Sequence, residues 1–150
     1  MHRARAIAAV LSVLILSVAL VACGTATAFH KATPADYRAF SDEVLELIAK
    51  GNHKDLSSVN LDSYWEENKD VMTRGAKSAC DTLKSTSKSE AISDTNLSVA
   101  TQMDQGYSRR QALVSESALE TAAYHHICPQ YDTRAGQVLA YLAVQIALEG

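Results

Sequence analysis

The sequence predicts an all-α protein, a small bundle of about five helices closed by one disulfide and preceded by an N-terminal signal peptide. Three observations lead there. From residue 33 onward apolar residues recur at three- and four-residue steps, the period of an amphipathic helix. Cap and stop residues punctuate those stretches, with Thr33-Pro34 and Ser108 at starts and Gly51 and Gly106 at ends. Two of the three cysteines fall in this body, downstream of a leader of the export type. A chain of 150 residues with 47% hydrophobic and 21% charged residues suits one domain with an appendage at an end. No internal repeat is visible.

The appendage comes first. Met1-His2-Arg3-Ala4-Arg5 is a basic leader, and Ala6 to Ala22 follows with no charge over 17 residues. The charges stay at the cytoplasmic face while the apolar helix enters the bilayer, which is what export requires. The run slightly exceeds a usual signal core and falls near the lower limit of a membrane span, so an uncleaved anchor is one reading. Leu20-Val21-Ala22-Cys23-Gly24, at its end, resembles a bacterial lipobox. That resemblance implies a diacylglycerol on the Cys23 thiol and cleavage before Cys23. Ala26-Thr27-Ala28 is a rival cleavage site whose use would release a soluble protein. The expected organisation is a signal peptide over 1–22, a lipidated tether over 23–32 and a helical domain over 33–150. Two or more acyl chains hold a protein stably at a membrane, whereas one binds marginally.

In the body, Thr33-Pro34-Ala35-Asp36 supplies an N-cap, a proline in the first turn and an acid near the helix N-terminus. Tyr37, Phe40, Val44, Leu47 and Ile48 form the first apolar stripe, with Gly51 as a C-terminal stop. A second helix starts near Asn60 or Asp62 and runs to about Thr86, with Trp65, Met72, Ala76, Ala79, Cys80 and Leu83 on one face. Ser85 to Ser89 reads as a loop. A third, weaker helix uses Ile92, Val99, Ala100 and Met103 and stops near Gly106. Ser108 and Gln111 form a capping-box pattern for a fourth, whose stripe is Ala112, Leu119, Ala122, Ala123 and Ile127. The last helix, Thr133 to Leu148, is apolar on most sides, and Gly136, Ala140, Ala143 and Ala147 form a ridge of small side chains. Its apolar part, about 14 residues, is too short to span a bilayer. It is expected at the centre of the bundle, a partner or dimer contact being the other reading.

With Cys23 assigned to lipid, Cys80 and Cys128 remain in an exported body, where oxidising surroundings make a disulfide the default over two free thiols. The closed loop would stabilise by about 4 kcal/mol on the chain-entropy model. Neither cysteine has a ligand partner at metal-site spacing.

Gly75, Cys80 and Leu83 in a G-x-x-x-x-C-x-x-L pattern, with Ala122, Cys128 and Pro129 closing A-x-x-x-x-x-C-P, carry a family resemblance. Over roughly residues 36 to 131 the chain resembles the actinobacterial exported proteins grouped as domain of unknown function 732. The resemblance implies a small helical fold with one disulfide, matching Cys80 and Cys128, and implies no known activity. The chain departs from the pattern at Lys84-Ser85, where the family often has a glycine, and in a C-terminal helix that continues past Asp132.

Chemistry is sparse. The formal charge of −3 becomes two units more negative without Arg3 and Arg5, and Arg109-Arg110 is the only adjacent basic pair. Both facts argue against binding nucleic acid through phosphates. His125-His126 diverge by about 100° on a helix and are read as a satisfied or surface pair rather than metal ligands. His30 and His53 stand alone. Asp62, Glu66, Glu67 and Asp70 read as a solvated face, and Trp65 as a packing residue with Tyr64 beside it. There is no G-x-S-x-G elbow, phosphate loop or dinucleotide glycine pattern. The expectation is a non-enzymatic lipoprotein, without cofactor or metal, that binds an envelope protein or lipid while held at the extracytoplasmic face of the cell membrane through Cys23. An immunity lipoprotein of prophage type and an unrecognised envelope enzyme are the alternatives.

Overall fold

The computed structural model describes residues 30–149. The signal peptide, Cys23, the Ala26-Thr27-Ala28 site and most of the tether lie outside the described residues. Five helices make up the described chain, with no strand among them. The all-α bundle is thus borne out.

Helix α1 spans Pro34–Gly51 and opens with the expected cap. Thr33 Oγ1 accepts the Asp36 N–H at 3.3 Å, and the Asp36 carboxylate accepts the Thr33 N–H at 2.7 Å. The Thr33 N–H, together with the Thr33 hydroxyl that donates to the same carboxylate at 2.8 Å, holds the Asp36 carboxyl below its ordinary range. Gly51 ends the helix but is not its left-handed stop: Asn52 caps it, and the positive φ of 54° falls on His53. The absent side chain at Gly51 serves packing instead. A Cβ there would lie 2.5 Å from Val114 Cγ1, so only glycine lets the two backbones come this close.

Helix α2, Leu61–Leu83, is capped by the Asn60 side chain on the Ser63 N–H and buries Met72, Ala76, Ala79, Thr82 and Leu83. It stops three residues short of Thr86, because Thr86 and Ser87 turn outward to start α3, Lys88–Asp104. Ser87 caps α3, and the Glu90 carboxylate accepts the Thr86 N–H and hydroxyl at 2.8 Å each. The buried positions of α3 are Ala91, Thr95 and Val99, while Ala100 and Met103 face solvent. Gly106, at φ 96°, is the left-handed stop the sequence suggested.

Helix α4, Arg109–Ala122, has the expected capping box from Ser108 and Gln111. It continues as one π-helical turn, Ala123–Ile127, closed by the Cys128 N–H on the Ala123 carbonyl at 2.9 Å. A 3-10 turn over Pro129–Tyr131 leads into α5, Asp132–Leu148. The centre of the bundle is α4, which packs against all four other helices. It buries Ala112, Leu113, Val114, Glu116, Ala118, Glu120 and Ala122, positions that point in several directions around its axis. The last helix is not central, contrary to expectation. It buries only Ala135, Val138 and Leu142, while Val144 and Leu148 are 58% and 74% exposed. Ala140, Ala143 and Ala147 are exposed, and nothing lies within 4 Å of a Cβ placed on Gly136. Alanine raises hydropathy without needing cover, which is why composition misplaced this helix. Among the described residues no helix is long and apolar enough to cross a membrane.

Cys80 near the end of α2 is bonded to Cys128 at the end of the π turn, with Cα atoms 6.0 Å apart. The expected disulfide therefore closes the body across 48 residues.

Candidate functional site

A groove of about 470 Å³ runs between α2 and α3. Ser78, Asp81 and Thr82 form one wall, and Asp94, Leu97, Ser98, Thr101 and Gln102 form the other. Helix periodicity builds both walls. Ser78, Asp81 and Thr82 are three and four apart on α2, and Asp94, Leu97, Ser98, Thr101 and Gln102 continue one face of α3. Leu97 is the single large apolar side chain in a lining of hydroxyls, an amide and two carboxylates, and neither Lys nor Arg lines it.

Helix α4 lies against both walls and puts a second pair of acids behind them. Glu116 is 4% exposed, and its Oε2 accepts from Ser98 Oγ at 2.7 Å and Gln102 Nε2 at 3.0 Å. Two groove residues thus hold a buried carboxylate beneath the α3 wall. Burial raises the Glu116 pKa above the ordinary carboxyl range, and the two bonds oppose the rise. Glu120, one turn further along the same face of α4, is fully buried, and neither carboxyl oxygen meets a hydrogen-bond donor. Burial, reinforced by the charge of Glu116, pushes its pKa up to about 9. Glu120 is therefore neutral at pH 7. Unpartnered buried acids are uncommon in structural cores and tend to mark functional sites.

Sequence reasoning singled out neither residue. A Glu pair at i and i+4 reads as a solvated helical face when the neighbouring helices are unknown. The local signal was weak: Ala112, Ala118 and Ala122 lie within about one third of the α4 circumference and do not by themselves mark a central helix.

The positions that were singled out fall elsewhere. Cys80 and Cys128 are joined, and Cys80 precedes Asp81 of the groove wall. Asp62, Glu66, Glu67 and Asp70 are exposed as expected, Asp62 pairing with Arg38 and Glu66 with Lys69. Trp65 and Tyr64 are half-buried against the core. His125 and His126, expected to diverge, both reach one carboxylate: His125 Nδ1 hydrogen-bonds Glu43 Oε1 at 2.8 Å, and His126 Nε2 lies 2.8 Å from Glu43 Oε2, which has no hydrogen-bond partner. Each ring offers a different nitrogen, and the wider π turn carries both to the same carboxylate. The pair latches α1 to the end of α4. Among the described residues no group of three His, Cys, Asp or Glu side chains is arranged to hold a metal ion.

Comparison with family models, with curated proteins and with solved structures returns no match. The functional reading therefore rests on the residues and their geometry.

Proposed function

We propose that the chain is a lipid-anchored extracytoplasmic binding module, held at the membrane through Cys23 and presenting the α2–α3 groove to solvent. The Cys80–Cys128 bond carries this reading, because such bonds persist outside the reducing cytoplasm. The basic leader, the uncharged run to Ala22 and the lipobox-like Leu20 to Gly24 supply an export route and an anchor for the same compartment. The resemblance to domain of unknown function 732 agrees with an exported helical body bearing one disulfide. Binding is favoured over catalysis because the groove has hydroxyls but no histidine or free thiol to activate them or act as nucleophile. A second reading, an envelope enzyme, draws on the raised pKa values of Glu116 and Glu120. It needs a substrate to reach acids that lie behind the walls of the groove.

Intact mass of the protein purified from the membranes of its native host tests the address. The expected species begins at Cys23, carries a lipid-sized increment and gains the mass of two hydrogens on reduction. A chain beginning at Phe29, or one without added lipid, removes the anchor.

A further inference from the structure

We infer that the outer face of α5, with the cleft between it and α3, docks a second copy of this chain, the two α5 helices pairing antiparallel about a two-fold axis. The cleft, of about 490 Å³, is lined by Lys88 and Ile92 of α3 and by Gly136, Ala140, Tyr141 and Val144 of α5, among others. The two helices run side by side in one direction. Lys88 lies at the Thr133 end, and further along the Tyr141 hydroxyl donates to Asn96 at 2.7 Å. Between Arg134 and Glu149 helix α5 carries no charged residue, and Ala140, Ala143, Val144, Ala147 and Leu148 are all exposed. A contiguous apolar surface of this kind marks an interaction site.

Two features choose the occupant. The first is spacing. Thr133, Gly136, Ala140, Ala143 and Ala147 alternate three- and four-residue steps, the a and d positions of a heptad, and all five are small. From Gly136 to Ala147 the steps read the same from either end. In an antiparallel pair centred between Ala140 and Ala143, Ala140 faces Ala143 of the second copy and Gly136 faces its Ala147. Such a face is complementary to itself, as a two-fold dimer requires. Small side chains let the two axes approach to about 8 Å, and Val144 and Leu148 then flank the seam and leave water.

The second is charge. Lys88 is the one charged side chain lining the cleft, at the N-terminal end of α5. At the other end stands Glu149, 3.0 Å from Arg109, and the last turn of α5 holds no basic residue. The two-fold that matches the small residues brings Lys88 of each copy to the C-terminal end of the other's α5, beside Glu149 and the negative end of the helix dipole. A parallel pair would instead set Lys88 against Lys88 and Glu149 against Glu149. A lipid surface would meet the same apolar residues, but it uses neither the matched spacing nor the opposed charges.

The test uses the full-length protein in a neutral detergent and after transfer to phosphatidylcholine vesicles. Sedimentation in density-matched detergent should show a monomer–dimer equilibrium. Ala140→Cys mixed with Ala143→Cys should form a mixed disulfide dimer on mild oxidation in both media. Ala147→Cys alone should not, because its two copies lie about 16 Å apart along the axis in this register. Ala140→Arg, at an exposed position, should keep the parent's Tm and raise the dimer dissociation constant about a hundredfold. Lys88→Glu and Glu149→Lys should each weaken the dimer a few-fold, and the two together should recover it. The inference is overturned by a parent that stays monomeric in detergent and forms no mixed disulfide in vesicles, or by Ala140→Arg dimerising like the parent. Efficient self-cross-linking of Ala147→Cys would mean a parallel pair and would overturn it too. So would an Ala143→Cys thiol that vesicles shield from a water-soluble maleimide without any cross-link, since the face would then lie on lipid.

Discussion

Glu120 sets the most unusual energetic condition of any single residue here. In the unfolded chain its carboxyl titrates in the ordinary range near 4.5, and in the folded bundle it does so at about 9. Below the ordinary range both states are protonated, and ionisation adds no cost to folding. Between the two values unfolding releases a proton, so stability is lost as pH rises, at up to about 1.4 kcal/mol per pH unit. Glu116, raised in the same direction by burial, adds to the slope as pH rises above its ordinary carboxyl range. Glu120→Gln keeps the shape and removes the titration. The variant should match the parent near pH 4 and exceed it increasingly through pH 6 to 8, read as denaturant midpoints at each pH. Parallel pH profiles would show that Glu120 does not lose its proton on unfolding. This residue also marks how far the candidate site was legible in the sequence. The two cysteines announce themselves by number and compartment, whereas a buried carboxylate looks like a surface one until the helices that bury it are placed. The approach of α3, through Ser98 and Gln102, makes Glu116 part of a site.

Helices were legible where their ends are chemically marked. Thr33 with Asp36, and Ser108 with Gln111, are reciprocal caps, and both begin where the spacing says they should. Which helix sits in the middle was not legible, because hydropathy ranks α5 above α4 while packing ranks them the other way. Position in the bundle decides: α4 buries residues around its axis against all four other helices, and Gly51 of α1 shows how closely it is approached. Gly51→Ala tests that closeness. The substitution should gain a fraction of the roughly 1 kcal/mol by which alanine exceeds glycine in a helix, since position 51 is a last turn. The new methyl must displace Val114, a β-branched side chain that is 6% exposed and has few rotamers to retreat into. Overpacking of this kind costs about 1–3 kcal/mol, so the net change should be destabilising by about 1–2 kcal/mol. In a double-mutant cycle Val114→Ala should recover much of the loss caused by Gly51→Ala, a favourable coupling that additive effects would contradict.

At the scale of the whole molecule the disulfide and the groove belong to one loop. Residues 80 to 128 contain every groove residue except Ser78, together with both buried glutamates and the central helix that carries them. Joining the ends of that loop lowers the conformational freedom of the unfolded chain, which on the entropy model is worth about 4 kcal/mol for a separation of 48 residues. The bond also holds the end of α2 against the π turn, where His125 and His126 already tie that turn to Glu43 of α1. A domain that carries a destabilising Glu120 has reason to depend on such a clasp, because natural stabilities are only about 5–15 kcal/mol in total. Reduction, or Cys80→Ser with Cys128→Ser, should therefore lower unfolding free energy by about 4 kcal/mol at neutral pH. The penalty should persist in the Glu120→Gln background, since one effect acts through the unfolded chain and the other through the folded core. Equilibrium denaturation of parent, double serine variant, Glu120→Gln and the combination measures this. Stability unchanged by removal of the bond would mean that the body holds itself together without the clasp, and the argument for an oxidising compartment would lose its energetic support.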